Sequence, residues 1–139
     1  HMEWFRRSDG SIAISEVAAR PPGAQFTSLI SYAHDRDFYR VWAEVSILED
    51  FTPPPRQFAT GAAYLRGQGA GRVARVAGIE RANQELGDLV VESKLPRPGQ
   101  PKASSYEGEG FISLRHEDTD RVRDGLRRAV EILQVELSA

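Results

Sequence analysis

Two short β-like runs open the chain, Trp4-Phe5-Arg6-Arg7 and Ser11-Ile12-Ala13-Ile14-Ser15. Ser8-Asp9-Gly10 between them has turn composition, so the pair is predicted to form a hairpin. Pro21-Pro22-Gly23 ends the second run, because proline cannot donate to a ladder. Helical spacing then takes over. Residues 27–33 predict a short helix, and Phe38, Val41, Trp42, Val45 and Leu48 a longer one capped by Asp35 or Asp37. Thr52-Pro53-Pro54-Pro55 reads as a stiff extended connector. Residues 57–65 and 71–77 predict strands, with Arg66-Gly67-Gln68-Gly69-Ala70 as a hairpin turn between them. Residues 79–86 predict a helix closed by Gly87, and residues 89–95 another strand. A long polar loop, 96–108, leads into a strand over 109–115. Asp118 or Thr119 can cap the last helix, whose expected buried stripe is Val122, Leu126, Ala129 and Val130. Residues 132–137 are expected to finish as an edge strand.

The pattern amounts to six or seven short strands with three or four helices. Short connections favour an α+β fold, a mostly antiparallel sheet with helices on one face. The 139 residues fit one domain with a modest core. Trp4, Phe38, Trp42 and Phe111 are its expected aromatic members.

Composition narrows the function. The net charge of −2 gives no electrostatic footprint for nucleic acid. Lys94 and Lys102 are the only lysines, an arginine bias that fits either a GC-rich genome or bidentate anion contacts. Cysteine is absent, so disulfides, thiol catalysis and zinc–thiolate sites are excluded. No apolar run approaches the roughly 20 residues of a membrane span. A cytoplasmic location is the default expectation.

The candidate chemistry sits in the first hairpin. Glu3 lies in Met2-Glu3-Trp4-Phe5 and Glu16 in Ile14-Ser15-Glu16-Val17-Ala18-Ala19-Arg20-Pro21. A hairpin brings the two acids side by side, and paired carboxylates on a rigid sheet suit a hard cation such as Mg²⁺. Taken alone, they equally read as solvent-facing acids that repel each other mildly. Arg20 adds a planar positive fork matched to phosphoryl oxygens, or an ordinary salt bridge.

An acid in an apolar strand, a hairpin, then Glu-hydrophobic-x-x-Arg-Pro resembles the metal-binding end of the ATP-grasp fold. The pattern is most similar to formate-dependent glycinamide ribonucleotide transformylases and more distantly to biotin carboxylases. The resemblance implies the C-terminal segment of a ligase joining a carboxylate to an amine or other nucleophile. ATP would phosphorylate the carboxylate, and the nucleophile would attack the acyl phosphate. It also implies Mg²⁺ or Mn²⁺ on Glu3 and Glu16, ATP as co-substrate, and Arg20 as the catalytic, nucleotide-facing cation. His1-Met2 resembles an expression scar. Residues 3–139 are then expected to form the C-terminal portion of a larger enzyme, with the hairpin 3–21 at its head. Such a fragment is expected to be inactive without its ATP-binding lobe.

Departures from the pattern bear on substrate. The transformylase-like sequences carry a basic residue and an Arg-Arg pair in the loop 96–108, which hold the substrate phosphate. Arg97 matches the first, but Glu107-Gly108 stand where the pair should be. Gly23 and Pro22 replace the acid and histidine that follow the family's Arg-Pro. Both changes argue against glycinamide ribonucleotide. Arg97, Lys102, Tyr106 and Glu107 are the candidate substrate contacts, on a loop that reads as well as a solvated connector. His34 and His116 read as surface or satisfied side chains. Arg121, Arg123, Arg127 and Arg128, balanced by nearby aspartates, read as a solvated helix face. The competing expectation is a non-catalytic binding or dimerisation module. In the ligase reading the partners are a small carboxylate and a nucleophile, with neither nucleic acid nor membrane.

Overall fold

The computed structural model describes residues 1–48 and 51–138. β1 (Met2–Arg6) and β2 (Ile12–Val17) form the leading hairpin. Arg7 and Gly10 close its turn by a backbone bond of 3.0 Å, and Gly10 takes the left-handed conformation, φ 85°. Asp9 Oδ1 accepts from the Ser11 amide at 2.9 Å and the Ser11 hydroxyl at 2.7 Å. Two helices follow, α1 (Phe26–His34) and α2 (Phe38–Leu48). Asp37 caps α2 by accepting from the Tyr39 amide at 2.9 Å, while Asp35 ends α1 in the left-handed region.

The centre is a three-stranded antiparallel sheet in the order β3 (Ala59–Leu65), β6 (Gly110–His116), β5 (Val90–Lys94). A separate antiparallel pair joins β4 (Arg72–Ala77) to β7 (Gln134–Ser138). α3 (Ile79–Leu86) and α4 (Thr119–Ile132) complete the chain, and Asp118 caps α4 by accepting from the Asp120 amide at 2.8 Å. The core collects Leu65, Ile112 and Leu114 from the sheet with Leu86, Val122, Ala129 and Ile132 from the helices. Gly61 lets α4 sit close, since a Cβ there would meet the Leu126 side chain at 2.5 Å.

Several expectations change. The helices do not share one face of the sheet. Gly61 and Leu114 face α4, whereas the neighbouring Thr60 donates its hydroxyl to Leu29 O of α1 at 3.1 Å. Adjacent strand residues point to opposite faces, so α1 and α4 flank the sheet from two sides. Nor is residues 66–70 a hairpin turn: β3 pairs with β6 and β4 with β7, so the segment crosses between sheets. Ile132 remains helical and the last strand starts at Gln134. Val130 is 51% exposed, its place in the α4 stripe taken by Gly125 and Ile132. Phe111 is buried, but Trp4 and Trp42 stay about half exposed, at 52% and 44%.

Candidate functional site

Glu3 and Glu16 are Cα partners across the hairpin, and a β-bulge makes them so. Toward the turn the register pairs Trp4 with Ile14, Phe5 with Ala13 and Arg6 with Ile12. Continued without interruption, it would set Glu16 opposite Met2 and leave Glu3 opposite Ser15. The irregularity beside Glu3 and Trp4 inserts Ser15 as an extra residue, which re-aims Glu16 to Glu3's side of the ribbon.

Directly opposed acids repel, so a cationic group should sit there, and one does. The Arg20 guanidinium donates to Glu16 Oε1 at 2.6 Å. His1 Nε2 lies 3.4 Å from Glu3 and 3.5 Å from Glu16, and the imidazole is largely buried while both acids stay open to solvent. The α-amino group of residue 1 donates to Ala18 O at 2.6 Å, pinning the imidazole over the acids. One ligand atom each from His1, Glu3 and Glu16 lies within 4.8 Å of the other two. Two carboxylates with open approach suit Mg²⁺ or Mn²⁺. His1, expected as an expression scar, is the third side chain of this cluster.

The segment carrying Arg20 is anchored through α1. Tyr32 OH donates to Glu92 Oε2 at 3.1 Å, and Arg115 donates to Asp35 Oδ1 at 2.8 Å. Arg115 also stacks on Phe58, 4.3 Å from the ring centroid. Burial, then the bond to Glu92, pushes the Tyr32 hydroxyl up from its ordinary pKa.

The loop 96–108 is bonded along much of its length rather than free. Gly99 donates to Val73 O at 2.8 Å and Val73 to Gln100 O at 2.8 Å. Arg66 reaches Ser105 O at 3.2 Å, and the Lys102 ammonium donates to Gly69 O. The organising group is Glu109, whose carboxylate is buried and accepts from the Gly67 amide at 2.8 Å and the Ala103 amide at 2.9 Å. Burial pushes its carboxyl up, but those two N–H bonds outweigh it and hold it below the usual carboxylate range. Pattern reading placed Glu109 only as the first residue of a strand. The available signal was an acid between Gly108 and Gly110, at a position where both neighbours permit close backbone approach.

The candidate substrate residues separate. Tyr106 stands with Glu3, Pro22, Phe26 and Ile30 around one cavity, beside the paired acids. Arg97 lines a different cavity with Ser93, Lys94 and Gln100. Lys102 is engaged at the 66–71 crossing, and Glu107 is half-buried on the loop. His34 bonds Pro54 O at 2.9 Å, and His116 accepts from the Asp118 amide at 2.9 Å, so both are satisfied locally.

No family model and no curated protein matches the sequence. Among solved structures the chain is similar to L-amino acid ligase from Bacillus licheniformis, with a TM-score of 0.77 and 19% identity over 100% of this chain. It is also similar to N5-carboxyaminoimidazole ribonucleotide synthetase from Thermotoga maritima (0.65, 20% identity, 99% covered). Phosphoribosylglycinamide synthetase from Anaerococcus prevotii is a third (0.71, 16% identity, 99% covered). The chain spans 36% of the length of each. These neighbours are ATP-grasp ligases, and the fold is that of the C-terminal part of an ATP-grasp enzyme.

Proposed function

We propose that this chain supplies the metal-binding side of an ATP-dependent ligase site that joins a carboxylate to an amine or another nucleophile. The observation that carries the reading is the bulge-enforced pairing of Glu3 with Glu16, with Arg20 at 2.6 Å from the second acid. Glu3 and Glu16 are the residues that would hold Mg²⁺ or Mn²⁺. A bound ion there would neutralise charge on the triphosphate during phosphoryl transfer. Arg20 pairs with Glu16 while the site is at rest. With Glu16 engaged elsewhere, its guanidinium is free to meet oxygens of the transferred phosphoryl group.

The reaction proceeds in two steps. A carboxylate oxygen attacks the γ-phosphorus as the bond to the ADP oxygen breaks, giving an acyl phosphate. The nucleophile then attacks the acyl carbon, phosphate leaves, and the nucleophile gives up its proton. The chain spans 36% of the length of its structural neighbours, which supports reading residues 3–139 as part of a larger cytoplasmic enzyme. The chain alone should release no ADP above background in the presence of Mg²⁺, ATP and candidate acids. Kinship with the transformylase-like group rests on the motif from Glu3 to Pro21, and Glu107-Gly108 set this chain apart from their phosphate-bearing substrate.

Mn²⁺ binding tests the reading directly. Water-proton relaxation should report one Mn²⁺ site on the chain, lost or severely weakened in Glu16→Gln with an unchanged thermal melt. Equal Mn²⁺ binding by that variant removes the metal site and the ligase reading with it. A second reading, a dimerisation module, is favoured by the exposed apolar hairpin residues Phe5, Ile14 and Val17.

A further inference from the structure

The cavity beside Glu3 has a volume of ≈ 490 Å³, within the usual range for small-ligand sites. Its walls are mostly apolar. Pro22, Phe26 and Ile30 come from the segment just after Arg20, Tyr106 comes from the loop 96–108, and Glu3 stands at the rim. Phe26 and Tyr106 remain 58% and 66% exposed, although an apolar surface of this kind gains by being covered. His1 and Met2 complete the lining; no lysine or arginine does, and the His1 imidazole is already held against Glu3 and Glu16 at 3.4 and 3.5 Å, so a phosphate-bearing substrate would find no guanidinium or ammonium fork in the cavity.

The loop wall is built rather than incidental. Glu109 fixes Ala103 and Gly67 to each other, and Arg66 holds Ser105, the residue before Tyr106. Tyr106 is thereby presented on a preorganised support. The opposite wall begins at Pro22, two residues past Arg20, and α1 carries Phe26 and Ile30 one helical turn apart on the same side.

We propose that this cavity binds the apolar body of the acid to be activated, a carboxylate with a branched or aromatic side chain. Its carboxylate points out of the cavity, past Glu3 and toward Arg20. This inference rests on the metal-site reading of Glu3 and Glu16, because without a cation the rim acid would repel the ligand's own carboxylate. Tyr106, Phe26 and Ile30 are then specificity residues. Preference for apolar acids over sugar phosphates follows from one feature, a shaped and mostly apolar wall without a lysine or arginine.

Ligand-observed and ¹H–¹⁵N NMR on the chain itself test the proposal. The probes are isocaproate, 3-phenylpropanoate, acetate and glycerol 3-phosphate, each with Mg²⁺ and then with trace Mn²⁺. The two apolar acids should bind at least about tenfold tighter than acetate or glycerol 3-phosphate. Their shifts should cluster at Phe26, Ile30 and Tyr106. Tyr106→Ala and Ile30→Ser should each weaken them by about fivefold or more. Both side chains are exposed, so a thermal melt should show the fold intact. Mn²⁺ should broaden the ligand protons next to the carboxylate more than those at the apolar end. Equal binding of all four probes, shifts elsewhere, or broadening strongest at the apolar end would overturn the proposal. Mn²⁺ relaxation of Glu16→Gln is read separately. Retention of that site's dependence on Glu16 with no preference for apolar acids sinks the cavity proposal while the metal site stands.

Discussion

The β1–β2 hairpin and the β3–β6–β5 sheet are both antiparallel, yet they differ in almost every physical respect. All five residues of β1 are exposed, whereas the first five of β6 are all buried. β6 has a strand on each edge and helices on both faces, so its apolar side chains are covered wherever they point. Among the described residues β1 and β2 pair only with each other, and a lone two-stranded ribbon is marginal in water. The central sheet therefore carries the stability of the chain, and the hairpin carries opposed acids that its own packing does not require. Opposed acids that repel each other sit where that repulsion costs the core nothing.

The strongest way to break this comparison is to attack both regions equally. Leu114 is 0% exposed, so Leu114→Ala should cost about 2–5 kcal/mol in urea or thermal melts. If Phe5→Ser costs as much, the hairpin is a structural element and the division fails.

Next in size is the functional counterpart. In the ligase proposed to contain this chain, Glu16→Gln should lower kcat by about 100-fold or more while leaving the melt unchanged. Glu3→Gln should be less severe, and Arg20→Lys should also fail, because an ammonium cannot reproduce the guanidinium fork. Replacing His34 or His116 should leave turnover near wild type. Steady-state kinetics with a Mg²⁺ titration, alongside melts, separates loss of metal from loss of fold.

Glu109 sharpens the boundary between the two regions, since it is a core group serving a surface loop. Glu109→Gln keeps one acceptor but turns an amide N–H toward a backbone N–H, at a cost of about 1–3 kcal/mol. Its carboxyl is depressed in the folded state, so its contribution is full above the ordinary carboxylate value of about 4.3. That contribution is lost as pH falls through the lower folded value. Melts from pH 7 downward should show the gap between wild type and Glu109→Gln closing in acid. A gap that widened instead would mean the clamp is not made by the ionised form. Glu85, held down to about 2 by Arg128 and Arg81, titrates in the same direction and serves as an exposed control on the α3–α4 surface.

The smallest effect on stability belongs to the exposed side chains on the two faces of the hairpin, Phe5 on one and Ile14 on the other. Phe5→Ser and Ile14→Thr should each shift stability by no more than about 0.5 kcal/mol. The same changes should reduce self-association, because Phe5 and Ile14 are 68% and 62% exposed and lie on a ribbon with no cover. Sedimentation velocity across a concentration series checks this. A wild-type chain that stays monomeric at high concentration would show that the hairpin is not a docking surface between copies.

Local patterns in the sequence determined the kind of each element. Asp37 and Asp118 announce their helices because an N-cap acts within a few residues, and Ser8-Asp9-Gly10 announces its turn for the same reason. The motif from Glu3 to Arg20 likewise marks the acids as a pair. What the tertiary structure alone decided depends on groups far apart in the chain. Strand partnership is one case: β3 chooses β6 and β4 chooses β7, although β3 and β4 are sequence neighbours. Burial is another, since Trp4 and Trp42 look like core until their elements prove to be uncovered on that side. Glu109 joins this class, because its value lies in two amides 42 residues before it and 6 residues before it. The last is the extra residue at Ser15, which no period in the sequence reveals. Hydrophobic alternation specifies a strand but not a one-residue slip, and that slip turns two acids on one hairpin into a facing pair.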